Sequence, residues 1–319
     1  MLLHVENLRK YFPVYRGFLR KVVGWVKAVD GVDLAVERGK TLGLVGESGC
    51  GKSTVGRVVL RLLEADGGKI FYEDRDITDL QGAEMTALRR EMQIVFQDPF
   101  GSLNPRMTVG GSVEEGLRVI GMNNRKARQE RLKELFQMVG IGWEAADRYP
   151  HQFSGGQRQR IGIARALSVS PSLIVCDEPI SALDVSIQAQ IINLFGELQE
   201  RLGLGYVFIS HDLNVVGYIS DHVAVMYLGQ IMEYAPVEKL FDTPMHPYTL
   251  ALLAAVPRGR RDTRTQEWTP LSGDVPGPFD PPPGCKFQGR CPLVEDRCRE
   301  GKIAFRELSD GHQVRCWKV

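Results

Sequence analysis

A glycine-rich loop between an apolar strand and a helix constrains the fold of this chain most. The residues Gly46-Glu47-Ser48-Gly49-Cys50-Gly51-Lys52-Ser53 fit the pattern G-x-x-x-x-G-K-[ST]. In such a loop, backbone N–H groups surround phosphate oxygens and the lysine adds a positive charge. Residues 41–45 have the pattern of a short buried strand. The apolar residues after the loop recur at helical spacing: Val55, Val58, Val59, Leu62 and Leu63. This order predicts a phosphate-binding α/β core with the phosphates at a helix N-terminus.

Three side chains of the loop are expected to contact a bound nucleoside triphosphate. Lys52 would hold the β- and γ-phosphates and Ser53 would bind Mg²⁺. Thr54 and the loop amides would hold the α- and β-phosphates. Cys50 is small and uncharged and can occupy a tight phosphate loop as Ser or Ala would; the alternative is a reactive thiol.

A pair of carboxylates follows a second apolar run. Leu173 to Cys176 ends in Asp177-Glu178, and open parallel sheets place their chemistry at the carboxyl ends of strands. Asp177 suits a role near Mg²⁺, and Glu178 is placed to orient or deprotonate the attacking water. Alone, such a pair is more often a helix cap and a solvated surface group; the phosphate loop upstream favours the catalytic interpretation.

A third strand-like run, Tyr206 to Ser210, is followed directly by His211. A histidine at a strand end is usually structural, but here a donor to the γ-phosphate is required. The order of these motifs along the chain predicts an ATPase.

A second anion site is predicted away from the first. Ser154-Gly155-Gly156-Gln157 precedes a helical run from Ile161 to Leu167, and free N–H groups at a helix start bind anions. One chain does not need two such sites for one nucleotide. The second would therefore cap the γ-phosphate held by another subunit.

These motifs together resemble the ATP-binding cassette of an ABC transporter. Phe153 to Gln157 matches the family signature and Gln97 the glutamine loop. Ser181 to Asp184 matches the dimer-contact loop, and His211 matches the switch histidine. Tyr11 falls where the family stacks an aromatic ring on adenine, although it could instead be an edge-strand aromatic.

The resemblance implies that two cassettes enclose two ATP molecules. Each signature loop, with Asp184 beside it, would complete the site of the other chain. The resemblance implies Mg²⁺ near Ser53, Gln97 and Asp177, and hydrolysis by Glu178. Gln97 would sense the Mg²⁺ and the water and pass the change to the membrane subunits.

The C-terminal part resembles one branch of the family. His246-Pro247-Tyr248-Thr249, followed by a long extension, is similar to the oligopeptide/dipeptide permeases, and residues 10–32 are similar to the second of their two ATPases. One departure is Ile180, where the family usually has threonine; Glu178 and Asp184 are both present. The implied cargo is peptides, with glutathione, nickel complexes or oligosaccharides as alternatives.

The resemblance also implies a domain organisation and partners. Residues 1–240 would form the cassette, with an antiparallel β subdomain and a helical subdomain at about 100–165, and residues 241–319 a loop-rich extension. The implied partners are a second homologous ATPase, two transmembrane permease subunits and an extracytoplasmic substrate-binding protein.

Composition agrees with an intracellular protein that reaches the membrane through partners. The chain has 319 residues, of which 43% are hydrophobic, enough for a large core. No apolar run approaches the roughly 18 residues of a spanning helix, and the first residues lack the pattern of a signal peptide. We therefore expect it at the cytoplasmic face of the membrane.

Charge argues against nucleic acid as a partner. A formal net charge of +1 does not favour a nucleic-acid surface over the whole chain. A local basic stretch is interpreted as a solvated linker or as a contact to anionic lipid: Arg258, Arg260, Arg261 and Arg264.

Four of the six cysteines lie in the extension: Cys285, Cys291, Cys298 and Cys316. Disulfides are disfavoured in reducing cytosol, and the paired spacing usual for zinc is absent. A [4Fe–4S] cluster tolerates wider loops, and Cys291-Pro292 is a step found in cluster loops. Some peptide permease ATPases carry such a cluster, so [4Fe–4S] is favoured over zinc or unmetallated thiols.

Two hairpins are predicted from alternating patterns, over residues 12–27 and around Leu228-Gly229.

Two other functions stay open: a soluble ABC-type ATPase acting on DNA or ribosomes, and an iron–sulfur redox sensor with a regulatory ATPase. The first usually inserts a long coiled coil, but only about a hundred residues separate Ser53 from Ser154.

Overall fold

A computed structural model describes residues 1–18, 20–98, 101–255, 277, 279, 281–301, 303–309 and 311–319. The basic stretch with Arg258, Arg260, Arg261 and Arg264 lies outside the described residues. Its interpretation as a linker or a lipid contact stays a prediction.

The described residues form both strands and α-helices. The strands are β1 (Leu3–Arg16), β2 (Lys21–Val36), β3 (Thr41–Val45), β4 (Gly67–Tyr72), β5 (Arg75–Asp76), β6 (Met92–Val95), β7 (Leu173–Asp177), β8 (Gly205–Ser210), β9 (His222–Tyr227), β10 (Gln230–Pro236), β11 (Arg306–Ser309) and β12 (His312–Val314). The helices are α1 (Lys52–Val59), α2 (Gly82–Glu91), α3 (Val109–Val119), α4 (Arg125–Met138), α5 (Gly155–Leu167), α6 (Val185–Leu202), α7 (Leu213–Ile219), α8 (Val237–Asp242) and α9 (Pro247–Ala254). Among the described residues, no helix is both long and apolar enough to cross a bilayer.

The main sheet has the strand order β11-β12-β10-β9-β3-β8-β7-β6. Strand β3 lies between β8 and β9 and runs parallel to both. Every residue of β3, β7 and β8 is buried, which is why these strands are continuous apolar runs in the sequence. The carboxyl ends of parallel strands meet at one edge, so Val45, Asp177 and Ser210 end together. The predicted α/β core is confirmed.

A second, antiparallel sheet has the order β2-β1-β4-β5. Strands β1 and β2 pair as far as Arg16 and Lys21, so the hairpin predicted over residues 12–27 is confirmed. Strands β9 and β10 pair on either side of Leu228-Gly229, which confirms the second predicted hairpin.

Helices α3, α4 and α5 lie between β6 and β7 in the chain. Strands β6 and β7 are neighbours in the sheet, so the helices form an insertion between adjacent strands. Val113, Leu117, Leu135 and Phe136 are fully buried in the core that these helices share. The predicted apolar spacings are therefore the packing faces of α3 and α4.

Helix α1 is shorter than the apolar spacing predicts. It ends at Val59, and Arg61 has a positive φ of 54°, a conformation that cannot continue a right-handed helix. Leu62 is 47% exposed. The inclusion of Leu62 and Leu63 in the helix was wrong because the chain turns before them.

The extension contains strands as well as loops. Strand β12 pairs with β10 and thereby adds β12 and β11 to the main sheet. Glu233 of β10 is fully buried and accepts hydrogen bonds from the backbone N–H groups of Met245 (2.7 Å) and His246 (2.9 Å). His312 Nε2 lies 2.7 Å from the same carboxylate. A buried carboxylate with these partners fixes β12 and the start of α9 to the core.

Candidate nucleotide-binding site

The phosphate loop connects the end of β3 to the start of α1. Gly46 has φ 152° and Gly51 has φ 110°, both in the region that favours glycine. A Cβ at Gly46 would meet the Met226 carbonyl oxygen at 2.1 Å, and one at Gly51 would meet the Ala28 carbonyl oxygen at 2.0 Å. These two positions therefore require glycine, because other backbone segments pack directly against the loop.

The loop borders a cavity of about 390 Å³. Its walls come from the loop, the ends of β6 and β7, the β1–β2 sheet and the β9–β10 turn. The lining residues are Phe12, Val26, Lys27, Ala28, Ser48, Gly49, Cys50, Gly51, Lys52, Ser53, Thr54, Gln97, Glu178, Leu228 and Gly229. The cavity collects most of the residues that the sequence assigns to the phosphates.

Lys52 places its charge inside the loop. The side chain is 4% exposed, and Nζ donates hydrogen bonds to the carbonyl oxygens of Gly46 (2.7 Å) and Glu47 (3.0 Å). Two carbonyl oxygens of the loop therefore hold the ammonium at the cavity. Cys50 is also buried, and burial raises the pKa of its thiol, which argues against the reactive-thiol alternative.

Ser53 and Asp177 form a contact between α1 and β7. The Ser53 hydroxyl donates to Asp177 Oδ1 at 2.6 Å, and Asp177 is buried. A hydroxyl and a carboxylate in contact are oxygen donors of the kind that Mg²⁺ prefers. Gln97 does not take part in this pair, because its amide is bound elsewhere.

The carboxylate of Glu178 joins the two other predicted catalytic residues. Gln97 Nε2 donates to Glu178 Oε2 at 3.1 Å, and His211 Nδ1 lies 3.2 Å from the same oxygen. Glu178 has a positive φ of 47°, and its backbone N–H donates to the Ile209 carbonyl at 3.0 Å. The left-handed backbone turns the side chain out of β7 towards the cavity, at a small steric cost.

The second predicted anion site does not line this cavity. Ser154 caps α5: its hydroxyl accepts from the Gln157 N–H at 3.3 Å, and its own N–H donates to Gln157 Oε1 at 3.0 Å. Ser154 and Gln157 are exposed; between them, Gly155 is half-buried and Gly156 is buried. Asp184 precedes α6, is exposed and also lies outside the cavity lining. This separation agrees with sites that serve another subunit.

The structure places Tyr11, the predicted adenine-stacking residue, outside the lining of the nucleotide cavity. The Tyr11 hydroxyl donates to Asp30 Oδ1 at 2.6 Å, and its ring lines a different cavity that also includes Lys286. Burial and Asp30 raise the pKa of Tyr11 to about 12. Successive strand residues face opposite sides, and the next residue, Phe12, lines the nucleotide cavity. This placement favours the edge-strand alternative for Tyr11, while Phe12 and Lys27, which the sequence analysis did not single out, line the cavity.

The four cysteines of the extension are free thiols in this structure. Burial raises the pKa of Cys285 to about 11, with further contributions from Cys291, Cys298 and Cys316. The Cys285 N–H also donates to the Cys298 carbonyl at 2.8 Å. The thiols are thus near one another, yet among the described residues no three His, Cys, Asp or Glu side chains are placed to hold a metal ion.

Two protein-family models match the chain. The model described as ABC transporter matches residues 29–181, which include the phosphate loop and the two carboxylates at the end of β7, Asp177 and Glu178. The model described as Oligopeptide/dipeptide transporter, C-terminal region, matches residues 232–298. The second match includes three of the four clustered cysteines.

Relatives are similar over nearly the whole chain. The oligopeptide transport ATP-binding protein AppF of Bacillus subtilis is 50% identical over 99% of this chain and 96% of its own length. The dipeptide transport ATP-binding protein DppF of Haemophilus influenzae is 46% identical over 100% of this chain and 97% of its own length. The similarity therefore includes the extension as well as the nucleotide cavity.

Solved structures share the fold. The dimeric, post-hydrolysis ATP-binding cassette MJ0796 bound to ADP and Pi is 27% identical, with a TM-score of 0.63 over 74% of this chain and 98% of that chain. The cbiO1 protein of Clostridium perfringens, part of the ABC transporter complex cbiONQ, is 27% identical, with a TM-score of 0.65 over 76% of this chain and 91% of its own.

Proposed function

The chain belongs to the ABC transporter family as an ATP-binding ATPase, and we propose that it powers the import of di- or oligopeptides through a membrane permease. The observation that carries the proposal is the family match over residues 232–298. Most of this match lies beyond residue 240, in the extension rather than in the cassette. AppF and DppF, whose names specify oligopeptide and dipeptide transport, support it over the full length.

We assign separate roles in nucleotide binding to the residues at the cavity. Phe12 would stack on the base, and the loop amides with Lys52 and Thr54 would hold the phosphates. Ser53 and Asp177 would hold Mg²⁺, with Asp177 acting through Ser53 or a bound water. Bound Mg²⁺ would neutralise phosphate charge.

Glu178 would orient or deprotonate the attacking water. Its carboxylate already contacts Gln97 and His211 at a single oxygen. A γ-phosphate and its water would compete for these contacts, so that nucleotide binding changes the partners of all three side chains. We infer that Gln97 and His211 report the state of the γ-phosphate through this exchange.

The exposed start of α5 supports a dimer with shared sites. Ser154, Gly155 and Gln157 would cap the γ-phosphate bound to a second, homologous ATPase subunit, and Asp184 would contact that subunit. The cassette MJ0796 is a dimer in its solved structure. Two transmembrane subunits and an extracytoplasmic substrate-binding protein would complete the importer and hold this chain at the cytoplasmic face of the membrane.

The division into residues 1–240 and 241–319 is part of the same proposal. The insertion formed by α3, α4 and α5 would receive the transmembrane subunit near residues 98–107. Its helices have 11, 14 and 13 residues. None of these is the long coiled coil expected of an ABC-type ATPase that acts on DNA or ribosomes, so a membrane partner is favoured.

The four cysteines are proposed to hold a [4Fe–4S] cluster. The support is the grouping of four cysteines in one extension and the 2.8 Å hydrogen bond from the Cys285 N–H to the Cys298 carbonyl, whereas the described side chains are not arranged as a metal-binding group in this structure. Zinc is the alternative. Iron and acid-labile sulfide content after anaerobic purification decides between them, and zinc at equal stoichiometry would reject the cluster.

Peptide uptake in proteoliposomes tests the transport function. The chain would be reconstituted with its permease subunits, its partner ATPase and the binding protein, and uptake of a labelled peptide measured with ATP inside. Uptake should require ATP and be lost in Glu178→Gln. The same assay with nickel, glutathione and an oligosaccharide identifies other cargo. ATP turnover that ignores the permease but follows the redox state of the cysteines would support the redox-sensor alternative instead.

A further inference from the structure

The C-terminal extension contacts the phosphate loop through one ion pair. Arg290 Nη1 donates to Glu47 Oε2 at 2.6 Å, and Nη2 donates to Glu47 Oε1 at 3.1 Å. The side chain of Arg290 is 7% exposed and that of Glu47 is 23% exposed. A guanidinium that binds both oxygens of a carboxylate fixes its orientation as well as its position. The cysteine loop from Cys285 to Cys291 therefore controls where the second residue of the phosphate loop lies.

The backbone of Glu47 has a second anchor. Its N–H donates to the Tyr248 hydroxyl at 3.0 Å. Tyr248 is fully buried, with its ring 4.7 Å from that of Tyr227 and 5.3 Å from that of Phe287. Phe287 belongs to the same cysteine loop as Arg290. The side chain of Glu47 thus depends on Arg290, and its amide depends on an aromatic cluster that Phe287 completes.

This position matters for phosphate binding. The Glu47 carbonyl accepts one of the hydrogen bonds that hold Lys52 Nζ, and the residues from Ser48 onward line the cavity. A carboxylate at this place would repel a triphosphate unless its charge were compensated. The hydrogen bonds to Glu47 raise the pKa of Arg290, as expected of a guanidinium held in a close ion pair.

We propose that Arg290 is a positioning residue for ATP. By binding Glu47 it holds the phosphate loop in its receptive shape and neutralises the one carboxylate within it. The inference rests on the proposed function, because it concerns the same nucleotide site. By linkage, the extension and the nucleotide stabilise each other, so the cysteine loop becomes part of the ATPase rather than a separate appendage.

Nucleotide affinity in the full-length protein tests the proposal. Arg290→Gln should raise the Kd for ATP by about ten- to a hundredfold, because it removes two charged hydrogen bonds and leaves a carboxylate uncompensated. Arg290→Lys keeps the positive charge but cannot form the bidentate contact, so its Kd for ATP should lie between those of the unmutated protein and Arg290→Gln. Arg299→Gln, an exposed arginine of the same extension, is the matched control and should bind ATP as the unmutated protein does.

A double-mutant cycle separates positioning from a general loss of folding. If Arg290 acts through Glu47, adding Glu47→Gln to Arg290→Gln should cause no further loss of ATP affinity and should recover the part that came from the uncompensated carboxylate. Effects of the two changes that simply add would overturn the proposal, as would an Arg290→Gln protein that binds ATP normally. An unmutated protein that fails to bind ATP would instead reject the proposed function itself, so the two failures are distinguishable.

Discussion

The Ser53 hydroxyl donates a 2.6 Å hydrogen bond to the Asp177 carboxylate. The two residues are 124 positions apart in the sequence, and they meet because α1 begins, and β7 ends, at the same edge of the parallel sheet. The pair joins the phosphate loop to the strand that carries Glu178. It is the place in the described residues where a Mg²⁺ ion held with ATP would find a hydroxyl and a carboxylate together.

Asp177→Asn tests this magnesium assignment. The amide oxygen can still accept the Ser53 hydrogen bond, but the negative charge is lost. We expect the Kd for ATP with Mg²⁺ to rise about tenfold or more, with little change in ATP binding measured in EDTA. Isothermal titration under both conditions provides the comparison, and Asp212→Asn, at the cap of α7, is the control. An equal loss of affinity with and without Mg²⁺ would contradict the assignment.

Glu178→Gln tests the catalytic assignment. The variant keeps an oxygen that can accept from Gln97 and removes the base, so we expect turnover to fall by about a hundred- to ten-thousandfold while ATP still binds. The ATP-bound variant should accumulate as a dimer with the partner ATPase, measured by light scattering. Glu197→Gln, on the exposed face of α6, should hydrolyse ATP normally. Undiminished turnover in Glu178→Gln would remove this residue from its role.

Phe12→Ala tests the proposed stacking of Phe12 on the base. Loss of a base-stacking ring costs about 1–3 kcal/mol, so the Kd for ATP should rise by roughly five- to a hundredfold. The Kd for tripolyphosphate, which has no base, should not change. Tyr11→Phe is the matched control: it removes only the hydroxyl that donates to Asp30. An unchanged Kd for ATP in Phe12→Ala would contradict the assignment to Phe12.

The phosphate and catalytic residues were predictable because strand ends in a parallel sheet share an edge. Each motif follows a run of apolar residues, so Lys52, Glu178 and His211 could be placed together without coordinates. Tyr11 could not be assigned this way. The pairing of β1 with β2 has irregularities between residues 5 and 8 and between 10 and 11, and each irregularity breaks the simple alternation that decides which side chain faces the cavity.

The contact between Arg290 and Glu47 could not be predicted from the sequence, for a different reason. The residues are 243 positions apart, and no local spacing or composition joins them. Arg290 lies in a segment for which the sequence predicts only loops, and the packing of Phe287 against Tyr227 and Tyr248 turns that segment towards the phosphate site. Tertiary packing of this kind has no short-range signal.

The buried histidine at the start of α9 predicts an acid-sensitive stability. His246 Nδ1 accepts the Tyr248 N–H at 3.0 Å, and burial lowers the pKa of His246 from 6.5 to about 4. Between these values the unfolded chain binds a proton that the folded chain excludes, so the free energy of unfolding falls as pH drops, by roughly 3 kcal/mol. Asparagine can cap the helix without titrating. The free energy of unfolding, measured with urea across this pH range, should therefore fall less steeply on acidification in His246→Asn than in the unmutated protein. The exposed control His151→Asn should keep the pH dependence of the unmutated protein. Identical pH dependences in the two variants would contradict the assignment.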